Sequence, residues 1–520
     1  MSPDLRVRRA GETKVEPQSD IVLDKGTVRV QENVVSYSDA DVKRLLRRLD
    51  FWFLPVLAIS YLLQYWDKTL LGQAALFNLT TDLKLITVIG YNAEGKPITN
   101  SDKYSRVSWI FYVGYLVATY PMSLLAQRFP TMKVCAASMM VWAVVMMSTA
   151  ACSDYAQLMI NRFFLGVCES AIAPVFTVYM TFWYTPKEQP FRTAIWYCMS
   201  GCAGVVTPLI SWGIGHIHGS FGASTWKYMY LIAGATTFAW AIVVMVVMPD
   251  DPQRAKWIND RDRAIIVARL KIHNVGTVDR HFKKDQVWEA LTDFNSWSNM
   301  FFAGVSSIPN GAFSSFATLV ISGLGYSNFQ ALLLLMPVGG VAATGFLIAG
   351  WITRRFQGWR YFMILILCTP ALAGSLMCWK ISRNKPGALY AGLVMMPLEI
   401  ATNSIAIAMV ASNTAGHTKK ATVSAMAFIG YCVGNILGPV VFSSTPGPLY
   451  LGGWIACVVC IISLMVLAVF ARWYLGHENC RRDSVYGAPG PLTDVDGAED
   501  EAEGHMDITD RENKNFRYQL

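Results

Sequence analysis

The chain has 520 residues, 53% of them hydrophobic and 15% charged, with a formal net charge of +8 and a mean hydropathy of +0.34. A water-soluble domain this apolar would be hard to keep in solution, which sets aside a large soluble α-protein. The basic residues gather beside apolar blocks instead of forming one long stripe, which sets aside a nucleic-acid binder.

The apolar residues fall in blocks of about twenty, the length a helix needs to cross a bilayer. Such a span must satisfy its backbone internally, so each block is read as a helix. Residues 1–45 are polar and basic, show no cleavable leader, and are expected to be a disordered tail, leaving the first span as insertion signal. Six spans follow at 52–71, 107–126, 134–152, 157–180, 193–215 and 228–248, within a first half at 46–250. Pro249-Asp250-Asp251-Pro252 stops the sixth. The segment 251–298 is a central loop in which Trp257, Ile258, Ile265, Ile266 and Leu270 recur at helical spacing, predicting an amphipathic helix on the cytosolic face. Six more spans lie at 300–322, 329–349, 361–380, 387–409, 421–443 and 450–474, within a second half at 299–474. The remainder, 475–520, is acidic around Glu499–Glu503 and is expected to be a disordered tail. The predicted class is an all-α membrane protein of twelve transmembrane helices in two six-helix pseudo-symmetric halves.

Lys43, Arg44, Arg47 and Arg48 precede the first span, and 254–284 carries nine Lys or Arg. Arg354, Arg355, Arg360, Lys419 and Lys420 fall on the same side, which places both termini and the central loop in the cytosol. Loops 72–106 and 380–386 also carry basic residues, so the bias is strong without being absolute. The eleven cysteines are scattered, with no paired or metal-ligand spacing, and read as small apolar residues. Asn78-Leu79-Thr80 forms a glycosylation sequon in an outer loop.

Two features suggest a repeat. Arg128-Phe129 and Arg355-Phe356 close the second helix of each half, and Gly201, Gly204 and Pro208 of span five answer Gly430, Gly434, Gly438 and Pro439 of span eleven.

An ionisable side chain near mid-membrane costs at least ~2.5–3.5 kcal/mol, so those retained there are functional candidates. They are Asp67, Lys68, Arg162, Glu169 and Glu399. Asp67 and Lys68 lie in the outer part of span one, and Arg162 lies at similar depth in span four. Arg162 and Glu169 share one helical face about two turns apart, with Gly166 between them leaving room for a ligand or a partner helix. The cations suit an anionic substrate and the carboxylates suit proton transfer. A purely architectural cluster tying span one to span four remains the alternative. His216 and His218 sit at the outer end of span five, outside the spans, so carboxylates carry any proton. Glu399 follows Pro397, and either serves as a second site or pairs with polar neighbours such as Asn403.

Asp67-Lys68-Thr69, Arg162-Phe-Phe-Leu-Gly166-Val-Cys-Glu169 with Pro174, Trp183-Tyr184, and Glu188 with Arg192 resemble the anion:cation symporter branch of the major facilitator superfamily. Ile308-Pro309-Asn310-Gly311, Ser412 to Lys420, Gly430 to Pro439 and the Asp510…Asn513…Phe516-Arg517-Tyr518 tail are similar to the fungal allantoate permease group, over nearly the whole chain from about residue 40. The resemblance implies a transporter, not an enzyme, working by proton-coupled uptake of a small organic anion across the plasma membrane. The group's substrates include ureido acids, nicotinate, pantothenate, other vitamins and small peptides. No metal or cofactor is expected, the driving ion is H+, and the expected form is a monomer in the lipid bilayer.

The resemblance also implies that Asp67, Lys68, Arg162 and Glu169 form the binding and coupling site. Lys68 stands where the branch usually has Arg; because Lys offers a point charge, bidentate clamping of a carboxylate is assigned to Arg162. Asn310 and Asn435 are expected to add substrate-binding amides, with Pro309-Asn310-Gly311 breaking span seven at a central cavity. Interhelical hydrogen bonding is the alternative for each amide. Asp67, Glu169 and Glu399 are the proton-coupling candidates. Gln127 and Pro130 replace the superfamily's loop Asp and Gly, so the cytosolic gate is assigned to Arg128, Glu188, Arg192 and Arg355. Efflux by proton antiport and a non-transporting nutrient sensor are the competing functions. A channel would need a filter ring that nothing in the chain suggests.

Overall fold

In the computed structural model, residues 38–520 are described apart from 92–96, 186–187, 218–223, 253–254, 256, 273–282, 357, 383, 449 and 488–507. The expected tail 1–45 therefore lies almost wholly outside the described residues, as do His218 and Glu499–Glu503.

The helices of the first half are α1 (Asp39–Ala75), α2 (Leu79–Asp82), α3 (Asp102–Arg128), α4 (Thr131–Ser148), α5 (Tyr155–Glu169), α6 (Ile172–Thr181), α7 (Gln189–Gly215) and α8 (Thr225–Val247). The central loop forms α9 (Asp260–Ile272) and α10 (Lys284–Thr292). The second half has α11 (Phe294–Gly323), α12 (Asn328–Arg355), α13 (Arg360–Lys380), α14 (Pro386–Met395), α15 (Thr402–Ser412), α16 (His417–Ser443) and α17 (Leu451–Tyr486). Each predicted span falls on one of these helices, with spans four and ten each in two pieces.

Ten stretches among the described residues are long and apolar enough to cross a membrane. The other two spans, α1 and α11, are long but carry buried polar groups, among them Gln64, Asp67 and Gln73 on α1 and Ser306, Asn310 and Ser315 on α11. Both are the first helix of a half, and they pack against each other at the centre.

The breaks have local causes. Pro174 cannot donate to the carbonyl four residues back, and α5 gives way to α6 around Ser170. Pro397 starts a 3-10 segment, Met396–Ala401, between α14 and α15. Pro309 does not act this way: α11 is continuous through Pro309-Asn310-Gly311, which corrects the expected break. Gly311 instead lets α16 approach, since a Cβ there would lie 2.8 Å from the Cα of Asn435.

Two strands, β1 (Thr87–Tyr91) and β2 (Pro97–Asn100), pair antiparallel in the loop after α2. Thr99 bridges to Gly447, so this hairpin touches the second half.

The loop helix α9 is not free on a membrane surface. Ile258, Ile265 and Ile266 are buried in the first half's core, and Trp257 stacks on Trp52 at 5.6 Å. The expectation of a disordered 475–520 is corrected for its described parts, 475–487 and 508–520, while 488–507 lies outside the described residues. Helix α17 continues to Tyr486, helped by Glu478 pairing with Arg481 and Arg482, and residues 508–520 are packed against the second half.

Candidate substrate and coupling site

Asp67 and Lys68 are adjacent on α1, so their side chains diverge by about 100° and reach different partners. Asp67 is fully buried and accepts a hydrogen bond from Trp142 Nε1 on α4 at 2.8 Å. Arg162 of α5 lies 3.8 Å from its other oxygen and donates to the hydroxyl of Tyr230 on α8. Lys68 Nζ lies 3.1 Å from Glu169 Oε1 and 5.4 Å from the ring centre of Tyr115 on α3. The expected four charges thus form two pairs, Asp67–Arg162 and Lys68–Glu169.

The pairs differ in placement. The Arg162 side chain is 3% exposed and enclosed by α1, α4, α5 and α8, whereas Lys68 is 11% exposed beneath the aromatic face of α3. Lys68 thus reaches the second half through Tyr115, whose ring stacks on Phe428 of α16, while Arg162 makes its contacts inside the first half. Gly166 serves a partner helix, because a Cβ there would lie 2.0 Å from the Phe111 carbonyl of α3.

Neither carboxylate oxygen of Glu169 makes an aligned hydrogen bond, and Asp67 Oδ1 and Arg162 Nε are likewise unbonded. The 3.1 Å Lys68–Glu169 contact is therefore a charge pair without hydrogen-bond alignment.

Opposite Lys68 the second half presents aromatic rings and amides. Tyr115 stacks on Phe428 of α16 at 5.5 Å, and Tyr112 meets Tyr431 edge-on at 6.3 Å. On the other flank Tyr197 of α7 meets Phe346 of α12 at 6.3 Å. The sequence reading missed these residues, although Tyr112/Tyr115 and Phe428/Tyr431 each recur at one-turn spacing, on spans two and eleven. Asn310 Nδ2 donates to Asn435 Oδ1 at 3.1 Å, and Asn435 Nδ2 donates to the Tyr431 carbonyl at 2.8 Å. The two expected amides thus pair with each other, while Asn310 Oδ1 is a buried acceptor without a bond.

A cavity of about 70 Å³ lies between the halves, lined on one side by Tyr65, Thr69 and Gln73 of α1 and Ser200 of α7, and on the other by Ser314 and Thr318 of α11. Thr69 follows Lys68 directly, so the cavity wall and the charged site share one turn of α1. Pro397 and Ile400 also line it, but Glu399 between them does not. Glu399 is 1% exposed, its Oε1 is unbonded, and its electrostatic neighbours are Cys368, Cys457 and Cys460. Asn403, its expected partner, bonds Ser306 instead at 2.6 Å.

On the face carrying both described chain ends, the terminal face, Arg192 holds Asp50 of α1 through two bonds of 2.5 and 2.8 Å and the Glu188 carbonyl at 3.0 Å. Its guanidinium also lies 4.2 Å from the Tyr184 ring centre. The Glu188 carboxylate pairs with Arg269 of α9. Asp50 and Arg269, absent from the expected gate set, are thus the partners of Arg192 and Glu188. Arg128 and Arg355 lie exposed at the ends of α3 and α12, Arg355 over the ring of its own neighbour Phe356.

The far side is sealed between halves. Tyr104 donates to the Ser315 carbonyl at 2.7 Å, Ser108 and Ser315 share a 2.5 Å bond, and Asn328 donates to the Leu76 carbonyl at 2.6 Å. Thr99 and Gly447 exchange two backbone bonds of 3.0 and 2.9 Å.

The family model of the Major Facilitator Superfamily matches residues 57–439. An uncharacterized transporter of Schizosaccharomyces pombe is 32% identical over 93% of this chain and 88% of its own. The allantoate permease of Saccharomyces cerevisiae is 28% identical over 96% of this chain and 91% of its own, and a thiamine pathway transporter of the same yeast is 27% identical over 95% and 91%. Among solved structures, a bacterial homolog to the human lysosomal transporter Spinster, inward-facing and unoccupied, superposes with TM-score 0.59. At 14% identity over 84% of this chain and 97% of that one, it shows likeness of fold alone.

Proposed function

The chain belongs to the major facilitator superfamily, and we propose that this transporter couples protons to the uptake of a small organic carboxylate. One observation carries the reading: Lys68 lies under Tyr115, at the aromatic contact between the halves, while paired to Glu169 at 3.1 Å, and that carboxylate has no aligned hydrogen bond. An arriving anion and the Glu169 carboxylate compete for one ammonium. A proton on Glu169 removes the competitor and frees Lys68, so proton and anion bind together.

Release reverses the order. When Glu169 gives up its proton on the other side, its carboxylate reclaims Lys68 and expels the anion. Rocking of the two halves about the central site supplies alternating access. Asp67 and Arg162 act one layer behind, fixing α1 against α4, α5 and α8. Glu399 faces away from the cavity and stands outside this cycle.

Antiport efflux suits a cationic substrate, which competes with the proton for a carboxylate; an anion held by Lys68 has the opposite linkage. The positive bias of the terminal face supports placing it in the cytosol. The relative named allantoate permease supports a small organic acid as cargo.

The test is uptake by purified protein in proteoliposomes, with allantoate, nicotinate and pantothenate as probes. At least one should accumulate above its equilibrium level under an inward proton gradient and fall back when an ionophore collapses it. Equilibration that ignores the gradient would refute the coupling.

A further inference from the structure

Lys419 is read from sequence as one more positive charge on the terminal face, but its side chain is 0% exposed. Its ammonium lies 2.9 Å from Glu289 of α10, 2.8 Å from Asp293 at the start of α11, and 2.8 Å from Asp510 of the C-terminal segment. Three carboxylates converge on one cation, and the third arrives from a stretch whose composition reads as disordered.

The segment 508–520 is held by side chains that read its backbone. Asn413 Nδ2 donates to the Gln519 carbonyl at 3.0 Å and its Oδ1 accepts from the Gln519 N–H at 2.7 Å. Asn479 treats Tyr518 in the same way, at 2.8 and 2.9 Å. Arg482 of α17 donates to the carbonyls of Asp510 and Phe516 at 2.8 and 3.1 Å. Paired donor and acceptor contacts of this kind satisfy an extended backbone as a sheet edge would.

Side chains supply the selectivity. Asp510 accepts from the Tyr518 hydroxyl at 2.8 Å and from the Ala415 N–H at 3.2 Å, so it joins the two ends of the segment to the groove. Burial and that carboxylate push the Tyr518 hydroxyl well above its ordinary range, keeping it a donor. Arg511 pairs with Asp293 at 3.2 Å, and Thr509 donates to Glu289 at 2.9 Å. Phe516, Tyr518 and Leu520 pack into the second half's apolar cluster.

We propose that the terminal face of the second half carries a peptide-binding site, and that its ligand is this chain's own segment 508–520. The groove survives without its ligand, because Lys419 keeps Glu289 and Asp293 when Asp510 leaves. Asp510 brings one negative charge and Arg511 one positive, so docking and release leave the local charge balanced. The occupied site ties α10, α11, α16 and α17 into one body, and α11 and α16 are the helices that carry Asn310 and Asn435. The tail therefore fastens the half that must move as a unit.

The experiment uses the full chain in nanodiscs and a fluorescent synthetic peptide of residues 508–520. Asp510→Asn weakens the tethered copy while leaving the groove intact. The peptide should bind this variant at least about tenfold more tightly than wild type, whose own tail competes at high effective concentration. Adding Lys419→Met to it should abolish binding. Hydrogen exchange of 508–520 in wild type should be at least about tenfold slower than in the free peptide. Should Asp510→Asn not fold, Phe516→Ala loosens the same segment from its own side, without touching the groove or the ion cluster. Equal peptide binding by wild type and the loosened-tail variant, no binding by Asp510→Asn or Phe516→Ala, undiminished binding after Lys419→Met, or a wild-type tail exchanging as fast as free peptide would each overturn the proposal.

Discussion

Lys68 and Glu169 sit 3.1 Å apart on helices α1 and α5 without the alignment of a hydrogen bond, while the neighbouring Asp67 has a well-formed 2.8 Å bond from Trp142. The two pairs of one cluster are therefore unequal: Asp67 carries an aligned hydrogen bond from a third helix, and Glu169 carries none. Lys68–Glu169 is the pair beneath Tyr115, at the aromatic contact between the halves.

Removing Lys68 should hurt substrate binding more than removing Arg162 hurts it directly. Lys68→Gln is expected to weaken anion affinity by about 100-fold, about 2.7 kcal/mol, consistent with loss of a buried charge partner. Lys68→Arg should retain most of it. Equilibrium binding of the transported anion to purified variants checks this, with thermal stability measured alongside.

Arg162→Ala acts on the fold. It leaves Asp67 with Trp142 alone in a buried place, and breaking a buried pair costs roughly 3–5 kcal/mol. The expected result is a strongly lowered melting temperature or loss of folded protein, read by thermal denaturation in detergent.

The terminal-face contacts separate by the same reasoning. Asp50→Asn removes the partner of a largely buried Arg192 and should destabilise the first half by about 1–3 kcal/mol. Arg128→Ala and Arg355→Ala alter exposed side chains and should stay within about 0.5 kcal/mol of wild type. Parallel melting curves of the three variants decide it.

The five intramembrane charges were legible because each is expensive and few survive in apolar blocks. Their partners were not. Trp142, Tyr230 and Tyr115 come from other helices, and nothing in span one or span four announces them. Proline misled in one direction: Pro174 and Pro397 coincide with interrupted helices, while Pro309 rides inside a continuous α11. Composition misled in another, since 475–520 is polar overall but holds Asp510 and Tyr518 at positions that fit a groove around Lys419. Lys419 itself illustrates the difficulty, because a loop lysine that orients a membrane and a buried lysine that binds three carboxylates look alike in one dimension.

Gly166 gives a sharp test of packing. A Cβ there would meet the Phe111 carbonyl at 2.0 Å, and Gly114 makes the reciprocal approach to Phe163 at 2.2 Å. Gly166→Val should force α3 from α5 and abolish stable expression, whereas Gly213→Ala, which meets nothing within 4 Å, should be tolerated. Yield and monodispersity after purification report both.

The most direct test of the coupling is Glu169→Gln compared with wild type at several pH values in proteoliposomes. In wild type, raising the pH on the binding side should lower anion affinity, because the deprotonated carboxylate retakes Lys68. The amide cannot ionise, so the variant should bind and exchange the anion with little pH dependence and fail to accumulate it against a gradient. Accumulation by Glu169→Gln with the wild-type pH profile would contradict the account.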